Sequence, residues 1–167
     1  MIDYLAGLSG RADLNVLSAM LSGLALTRRD LEPVLVFGNK GYRRNVIAAG
    51  AWFELLALTW RSGHCTPIHD HQGISCAFRV IEGIGTEIRF EMTASGVVCP
   101  VQTTPMPAGY ICAARDADIH QVVNHQAPGN EVITLHCYSP RIKKMNTYPF
   151  ASSAGAECAA LYAAPEC

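Results

Sequence analysis

The chain has 167 residues, of which half are hydrophobic and 16% are charged, and its formal net charge is −1 at pH 7. This length predicts a single domain, with enough apolar residues to form a core. So small a net charge gives no long-range field that would attract nucleic acid or a membrane surface, so we expect neither as a partner. The sequence has no apolar run of about 18 residues and no basic leader with a cleavage site. We therefore expect a cytoplasmic protein, and we favour a monomer.

The cysteines give a similar indication about the compartment. Seven of them are spread along the chain without a CxxC pair, and their number is odd. A secreted disulfide scaffold is therefore not expected. We interpret most of them as small core residues or unreactive surface thiols.

The first 37 residues predict a helical cover without chemistry of its own. Four leucines recur at helical spacing within residues 13–26, and Asp13 is placed to cap the start of that helix. A second short helix is predicted over residues 28–37, where Pro33 limits its start or kinks it.

From residue 42 onwards, short apolar segments alternate with Gly, Pro and Asn turns. Strands are predicted at 42–47, 52–60, around the histidines of 63–83, and at 86–91, 97–101, 108–113, 119–123 and 132–138. Short strands at regular spacing predict an all-β sandwich or barrel. We expect the barrel to span residues 42–140 of the single domain. The tail, 141–167, ends in an Ala-rich segment that is either a loose coil or a strap over the barrel.

The most informative stretch lies between residues 63 and 83. His69 and His71 point the same way only if the backbone is extended, and Asp70 then faces away from them. The spacing matches G(x5)HxH(x4)E(x6)G, with Cys76 at the position of the glutamate. This resembles the first motif of the cupins, whose fold is a mainly β, double-stranded β-helix or jelly-roll-like barrel. We expect that fold here, preceded by the short helices.

A third histidine belongs to a second motif. Residues 107–109 (Pro-Ala-Gly) followed by His120 and Asn124 resemble the cupin pattern PxG…H(x3)N, with a longer gap than usual. Three neutral imidazoles suit zinc, copper, iron or nickel, and three protein ligands leave coordination positions open for catalysis. By contrast, His64 and His125 lie next to loop signals, so we expect them to be exposed or locally bonded.

Another row of polar side chains lies on the last predicted strand. Thr134, His136 and Tyr138 share one face by strand parity. The row is either a satisfied core network or a relay that fixes a tyrosine hydroxyl beside the metal, and spacing leaves both readings open.

Together these segments resemble the cysteine dioxygenase family of cupins, from about residue 42 to residue 140. The matching stretches are YRRN (42–45), FELLALTW (53–60), GH…HDH…C (63–76), H(x3)N (120–124) and LHCYSP (135–140). The resemblance implies non-haem Fe(II) held by His69, His71 and His120, with O2 as co-substrate. It also implies oxidation of a small thiol, in the first place L-cysteine to cysteine sulfinic acid, within cysteine catabolism and sulfur metabolism.

The resemblance assigns roles to further side chains. It implies that Arg44 pairs with the substrate carboxylate, with Tyr42 assisting. Tyr138 would stand beside the bound thiolate, and His136 would support its hydroxyl. Cys76 stands where some family members carry a cysteine that forms a thioether cross-link with that tyrosine.

Alternatives remain open for several of these residues. Arg44 could be an ordinary surface arginine, and Cys76 could be a fourth zinc ligand or a core thiol. Arg141 replaces a proline of the best-known family members and could serve a second substrate carboxylate. The substrate would then be another small thiol acid, such as 3-mercaptopropionate or mercaptosuccinate. The last alternative is a non-catalytic cupin that binds a metal or a small ligand.

Overall fold

Two five-stranded antiparallel sheets face each other in the computed structural model, and short helices cover the outside of one sheet. The structure describes residues 1–71, 73–115 and 118–149. The helices are α1 (Ile2–Ala6), α2 (Leu14–Gly23) and α3 (Arg28–Leu31), the last followed by a 3-10 turn at Glu32–Val34. The strands are β1 (Arg43–Ala49), β2 (Glu54–Trp60), β3 (Ile68–Asp70), β4 (Ser75–Glu82), β5 (Ile84–Met92), β6 (Val98–Pro107), β7 (Ile111–Arg115), β8 (Ile119–Val123), β9 (Val132–Ser139) and β10 (Asn146–Tyr148).

The order of the strands defines two walls of the barrel. The first sheet runs β1-β2-β9-β4-β7 and the second runs β10-β3-β8-β5-β6. All pairings within them are antiparallel. The predicted mainly β barrel with N-terminal helices is therefore confirmed.

The N-terminal helices pack on the outer face of the first sheet. The Asp13 carboxylate accepts hydrogen bonds from the backbone N–H groups of Asn15 and Val16, which confirms the predicted cap of α2. Leu17 and Leu21 are fully buried against this face. The helix ends at residue 23, before the predicted end, because the chain becomes extended at the next residue. The second predicted helix is shorter than expected. It consists of the single turn α3, followed by a 3-10 turn that contains Pro33.

The inner face of the first sheet carries the main core. On β2, Leu56, Leu58 and Trp60 point inwards, whereas Leu55 and Ala57 lie under the helical cover. Both faces of this strand are thus buried, so its sequence is a nearly continuous apolar run instead of an alternating one. The inner face of the first sheet is therefore a closely packed, mainly apolar surface that supports the polar side chains pointing inwards.

The chain changes sheets between β3 and β4. Strand β3 belongs to the second sheet and β4 to the first, with Gly73 between them at a φ of 76°. A residue with a side chain disfavours this left-handed conformation, whereas glycine adopts it freely. His71 and Cys76 are an odd number of residues apart, yet both face the interior because the chain turns there. The turn that brings both side chains to the interior thus coincides with Gly73.

The second sheet extends beyond residue 140, the predicted end of the barrel. Strand β10 pairs with β3, and the Tyr148 hydroxyl donates a 2.6 Å hydrogen bond to the Asp70 carboxylate. Asp70 thus faces away from the interior, as predicted. The Ala-rich segment from residue 151 onwards lies outside the described residues. No helix in the part of the chain that the structure describes is long and apolar enough to cross a membrane.

Candidate metal centre

Three histidines meet in the interior between the two sheets. His69 and His120 lie directly opposite each other across β3 and β8, and His71 follows β3. Their ligand atoms all lie within 4.8 Å of one another, and each residue is less than 10% exposed. Strand pairing thus brings the two predicted motifs together, although about fifty residues separate them in the sequence.

Two of these rings are oriented by hydrogen bonds that leave one nitrogen available. The Nδ1–H of His69 donates to the Pro67 carbonyl oxygen at 2.9 Å. The Nδ1–H of His120 donates to Glu87 Oε1, also at 2.9 Å. A carbonyl or carboxylate oxygen can only accept, so the proton lies on Nδ1 in each ring and Nε2 carries a free lone pair.

The environment keeps the imidazoles neutral. Burial, assisted by the nearby His120, lowers the pKa of His69 to about 4 and that of His71 to about 3. At neutral pH both rings are unprotonated and can donate to a metal. Cys76 is not among the clustered donor atoms, and burial raises the pKa of its thiol well above the usual value. The three imidazole nitrogens fit a divalent transition metal such as iron, with coordination positions left open.

Glu87 completes this centre, and the sequence analysis missed it. It lies on β5 opposite Val122, which places its carboxylate diagonally beside His120 on the neighbouring strand. Its side chain is only 10% exposed. The sequence signal was weak: an acidic residue inside a predicted strand that belongs to neither motif.

Glu87→Gln is expected to weaken Fe(II) binding about 10- to 100-fold, because a neutral amide polarises the His120 ring less than a carboxylate does. Competition with a chromophoric iron chelator measures the change. Glu91→Gln is the matched control, since Glu91 lies on the same strand and is exposed. Equal iron affinity of Glu87→Gln and the parent would show that the hydrogen bond does not support the ligand.

The predicted row on β9 forms a continuous chain of hydrogen bonds. The indole N–H of Trp60 donates to Thr134 Oγ1 at 3.1 Å, and Thr134 Oγ1 lies 2.9 Å from His136 Nε2. His136 Nδ1 lies 3.1 Å from the Tyr138 hydroxyl oxygen. The indole N–H can only donate. In one consistent arrangement of donors, Trp60 donates to the threonine hydroxyl, the hydroxyl donates to the imidazole, and the imidazole donates to the tyrosine oxygen. The tyrosine proton is then free to point elsewhere.

This chain ends at the metal centre. Burial lowers the pKa of His136 well below its usual value and raises that of Tyr138 well above it, so both groups are neutral. His136 also stacks on Phe78, with ring centroids 4.8 Å apart. The Tyr138 ring lies 5.6 Å from the His71 ring. The row is a satisfied core network whose last hydroxyl reaches the site, so the two readings of the sequence are combined.

Cys76 lies next to the same tyrosine. The two residues are directly paired across β4 and β9, and both line the cavity in front of the histidines. Both are about 95% buried. The proximity that the resemblance implied is therefore present in the structure.

On the other side of the ring lies the arginine of the YRRN stretch. Arg44 Nη2 donates to Glu54 Oε2 at 2.8 Å, and its Cζ atom lies 5.7 Å from the Tyr138 ring centroid. Tyr42 stacks on Trp60 with centroids 4.6 Å apart. Arg44 and Tyr42 both line the cavity in front of the histidines.

Arg141 is placed differently from this group. Its guanidinium is half exposed and lies 3.9 Å from Glu54 Oε1. It lines a neighbouring surface cleft with Lys143 and Lys144 and does not line the histidine cavity. A direct contact between Arg141 and a substrate in the cavity therefore finds no support in this arrangement.

The cavity itself is narrow: the centre of a water-sized sphere can occupy about 20 Å³ of it. The metal ligands of the second sheet form one side, and Arg44, Tyr138 and Cys76 of the first sheet form the other. Met145, just before β10, also lines it, and neither motif indicated that residue.

Facing antiparallel sheets with a histidine cluster between them define the cupin class, and solved structures agree. A protein of Klebsiella pneumoniae with a double-stranded β-helix domain superposes with a TM-score of 0.56 at 17% identity, covering 71% of this chain and 88% of the other. The TT1209 protein of Thermus thermophilus gives a TM-score of 0.56 at 16% identity, covering 67% and 95%. At such identities the likeness concerns the fold.

The family follows from the sequence comparisons. The family model described as cysteine dioxygenase type I matches residues 29–150. The cysteine dioxygenase type 1 of Danio rerio is 28% identical over 119 residues, which cover 67% of this chain and 58% of that protein. The Rattus norvegicus enzyme is 28% identical over 110 residues, covering 62% and 54%. This chain belongs to the cysteine dioxygenase type I family and spans little more than half the length of these relatives.

Proposed function

We propose that the protein is an Fe(II)-dependent thiol dioxygenase that oxidises L-cysteine with O2 to cysteine sulfinic acid. One observation carries the proposal: a single cavity has three clustered imidazoles on one side and, on the other, a guanidinium and a tyrosine hydroxyl. Membership of the family supports thiol oxygenation as the class of chemistry.

The histidines would hold the metal without neutralising it. A free thiol has a pKa of about 8.5, and coordination to a divalent cation removes its proton. Bound iron would supply adjacent positions for the thiolate and O2. Cys76 stands where the cupin motif has a glutamate and does not join the clustered donors, so no carboxylate of the motif competes for those positions.

Arg44 would position the other end of the substrate. Its planar guanidinium can donate two parallel hydrogen bonds to one carboxylate, and it faces the cavity beside Tyr42. A thiol acid fixed at its carboxylate and at its sulfur has little rotational freedom left, which favours reaction by proximity.

Tyr138 would donate its proton towards the reacting sulfur. If His136 donates the 3.1 Å hydrogen bond to the tyrosine oxygen, the phenol proton would point into the cavity. Burial keeps the phenol protonated, because its pKa is raised well above the usual value. The overall conversion, RS⁻ + O2 → RSO2⁻, needs no added reductant and no net proton.

A cross-link between Cys76 and Tyr138 belongs to the same proposal. Turnover under air would join Cys76 Sγ to a ring carbon beside the phenol oxygen, with loss of two hydrogen atoms to O2 as the oxidant. The thioether would fix the ring and remove a thiol that could compete for iron. Direct pairing of the two residues supports this step.

Intact mass spectrometry should therefore show a form lighter by about 2 Da, the mass of the two lost hydrogens, that grows during aerobic turnover. This form should be absent in Cys76→Ser and Tyr138→Phe. It should persist in Cys112→Ser, which removes a free thiol from the adjacent strand β7. A mass that stays constant through turnover would leave Cys76 as a core thiol and would not affect the iron proposal.

Oxygen uptake by the iron-loaded protein tests the function as a whole. The assay compares cysteine, cysteamine, 3-mercaptopropionate and mercaptosuccinate, and ¹⁸O2 identifies a product that has gained both oxygen atoms. Cysteine should give the highest kcat/KM. A higher value for 3-mercaptopropionate would change the substrate and keep the chemistry. Uptake no faster than with free Fe(II) would favour a non-catalytic cupin.

A further inference from the structure

We infer that Glu54 sets the charge of the carboxylate subsite and thereby restricts it to thiols that carry one carboxylate. The inference rests on the proposed function, in which Arg44 binds the carboxylate of the substrate. It adds a residue that determines specificity and that does not line the cavity.

Glu54 lies between two guanidinium groups. It is the first residue of β2, and its side chain is only 10% exposed. Oε2 accepts the 2.8 Å hydrogen bond from Arg44, and Oε1 lies 3.9 Å from Arg141 Nη2. One carboxylate of the protein thus bridges the only two arginines that approach this side of the site among the described residues.

These three side chains together carry one net positive charge, because two guanidinium groups flank one carboxylate. That charge matches a single carboxylate of the substrate. A second carboxylate that reached for Arg141 would have to approach the oxygens of Glu54. The Glu54 side chain is only 10% exposed, so solvent screens its charge weakly, and it would repel a second carboxylate. The buried carboxylate therefore acts against dicarboxylates, as an element that lowers the affinity for the wrong ligand.

Glu54 also positions Arg44. It is paired with Tyr138 across β2 and β9, and the Arg44 guanidinium lies near the face of the same ring. A test must therefore separate the charge of Glu54 from its role as a hydrogen-bond acceptor. Gln keeps an acceptor and loses the charge, whereas Asp keeps the charge on a shorter side chain.

Two thiols form a matched pair for this test. Mercaptosuccinate is 3-mercaptopropionate with one additional carboxylate. We define the selectivity ratio as the affinity for mercaptosuccinate divided by that for 3-mercaptopropionate. Calorimetry on the iron-loaded protein without O2 measures it, and kcat/KM under air gives a second value.

Glu54→Gln should raise the selectivity ratio at least tenfold, whereas Glu54→Asp should leave it within about twofold of the parent. Arg141→Ala should lower the ratio, because it removes the charge that attracts a second carboxylate. Since Arg141 is half exposed, this variant should fold even if a Glu54 variant does not. Glu82→Gln is the matched control and should not change the ratio. Glu82 also accepts a 2.8 Å hydrogen bond from an arginine, Arg28, but at the outer surface.

The outcomes separate the inference from the proposed function. If Arg44→Ala binds both thiols as well as the parent does, the carboxylate subsite is wrong and the inference falls with it. If Arg44→Ala weakens both but Glu54→Gln and Arg141→Ala leave the ratio unchanged, only the inference is overturned. A rise in the ratio with Glu54→Asp as large as with Glu54→Gln would assign the effect to structure and would also overturn it.

Discussion

Replacing any one of His69, His71 and His120 by alanine is expected to abolish thiol oxidation and to prevent stable binding of iron. Each ring supplies one of three donor nitrogens that lie within 4.8 Å of one another, and the clustered donors include no carboxylate. Two remaining imidazoles cannot hold a divalent ion in a fixed geometry. The loss should therefore appear in the iron content of the purified protein as well as in oxygen uptake.

The remaining histidines provide the controls for this prediction. His64 Nδ1 accepts a hydrogen bond from the backbone N–H of Arg61, and His125 is exposed. Both occupy the positions that the sequence predicted for them. His64→Ala and His125→Ala should keep iron and activity. Full activity of the parent with zinc alone would contradict the iron assignment, because zinc has no redox chemistry.

Arg44→Ala should raise the KM for cysteine and leave the KM for cysteamine nearly unchanged, because cysteamine lacks the carboxylate. Loss of a charge-assisted hydrogen bond costs about 1.5–3 kcal/mol, which corresponds to a roughly 10- to 100-fold loss of affinity. Steady-state oxygen uptake with both thiols measures the difference.

A folding defect would not imitate this result. Removing Arg44 leaves the buried carboxylate of Glu54 without its 2.8 Å partner, so some loss of thermal stability is expected. Such a loss would lower turnover of both thiols alike. Arg43→Ala is the matched control, since Arg43 is the preceding residue on β1 and is exposed. If Arg44→Ala discriminated between the two thiols as the parent does, the proposed role of Arg44 would be wrong.

The sequence predicted those parts of the site that depend on spacing along one strand. Alternation on β3 placed His69 and His71 on one face, and alternation on β9 aligned Thr134, His136 and Tyr138. The buried strands also came close to their observed bounds, because runs of apolar residues predict strands wherever they are buried.

Contacts between strands were beyond the reach of such patterns. Glu87 reaches His120 only because β5 lies next to β8, and spacing along a strand does not reveal its neighbour. Glu54 meets Arg141 for a similar reason, since β9 pairs with β2 and the segment after β9 therefore lies near the start of β2. The sequence predicted Arg141 among the substrate residues, and in the structure it lies 3.9 Å from Glu54 and lines a neighbouring cleft.

Short elements gave too little signal. Helix α1 has five residues and β10 has three, and neither length establishes a period. Strand β7 begins later than predicted because Gly109, at a φ of 90°, forms the turn after β6. Strand β10 exists through its pairing with β3, so local propensity alone does not predict it.

The division of the cavity between the two sheets has a consequence for inheritance. The histidines and Glu87 belong to the second sheet, while Arg44, Glu54, Cys76 and Tyr138 belong to the first. Under the proposed function, substitutions on the first sheet would change which thiol is admitted while the metal ligands keep their geometry. Proteins that inherit this barrel from a common ancestor could therefore diverge in substrate specificity while they keep the same metal ligands.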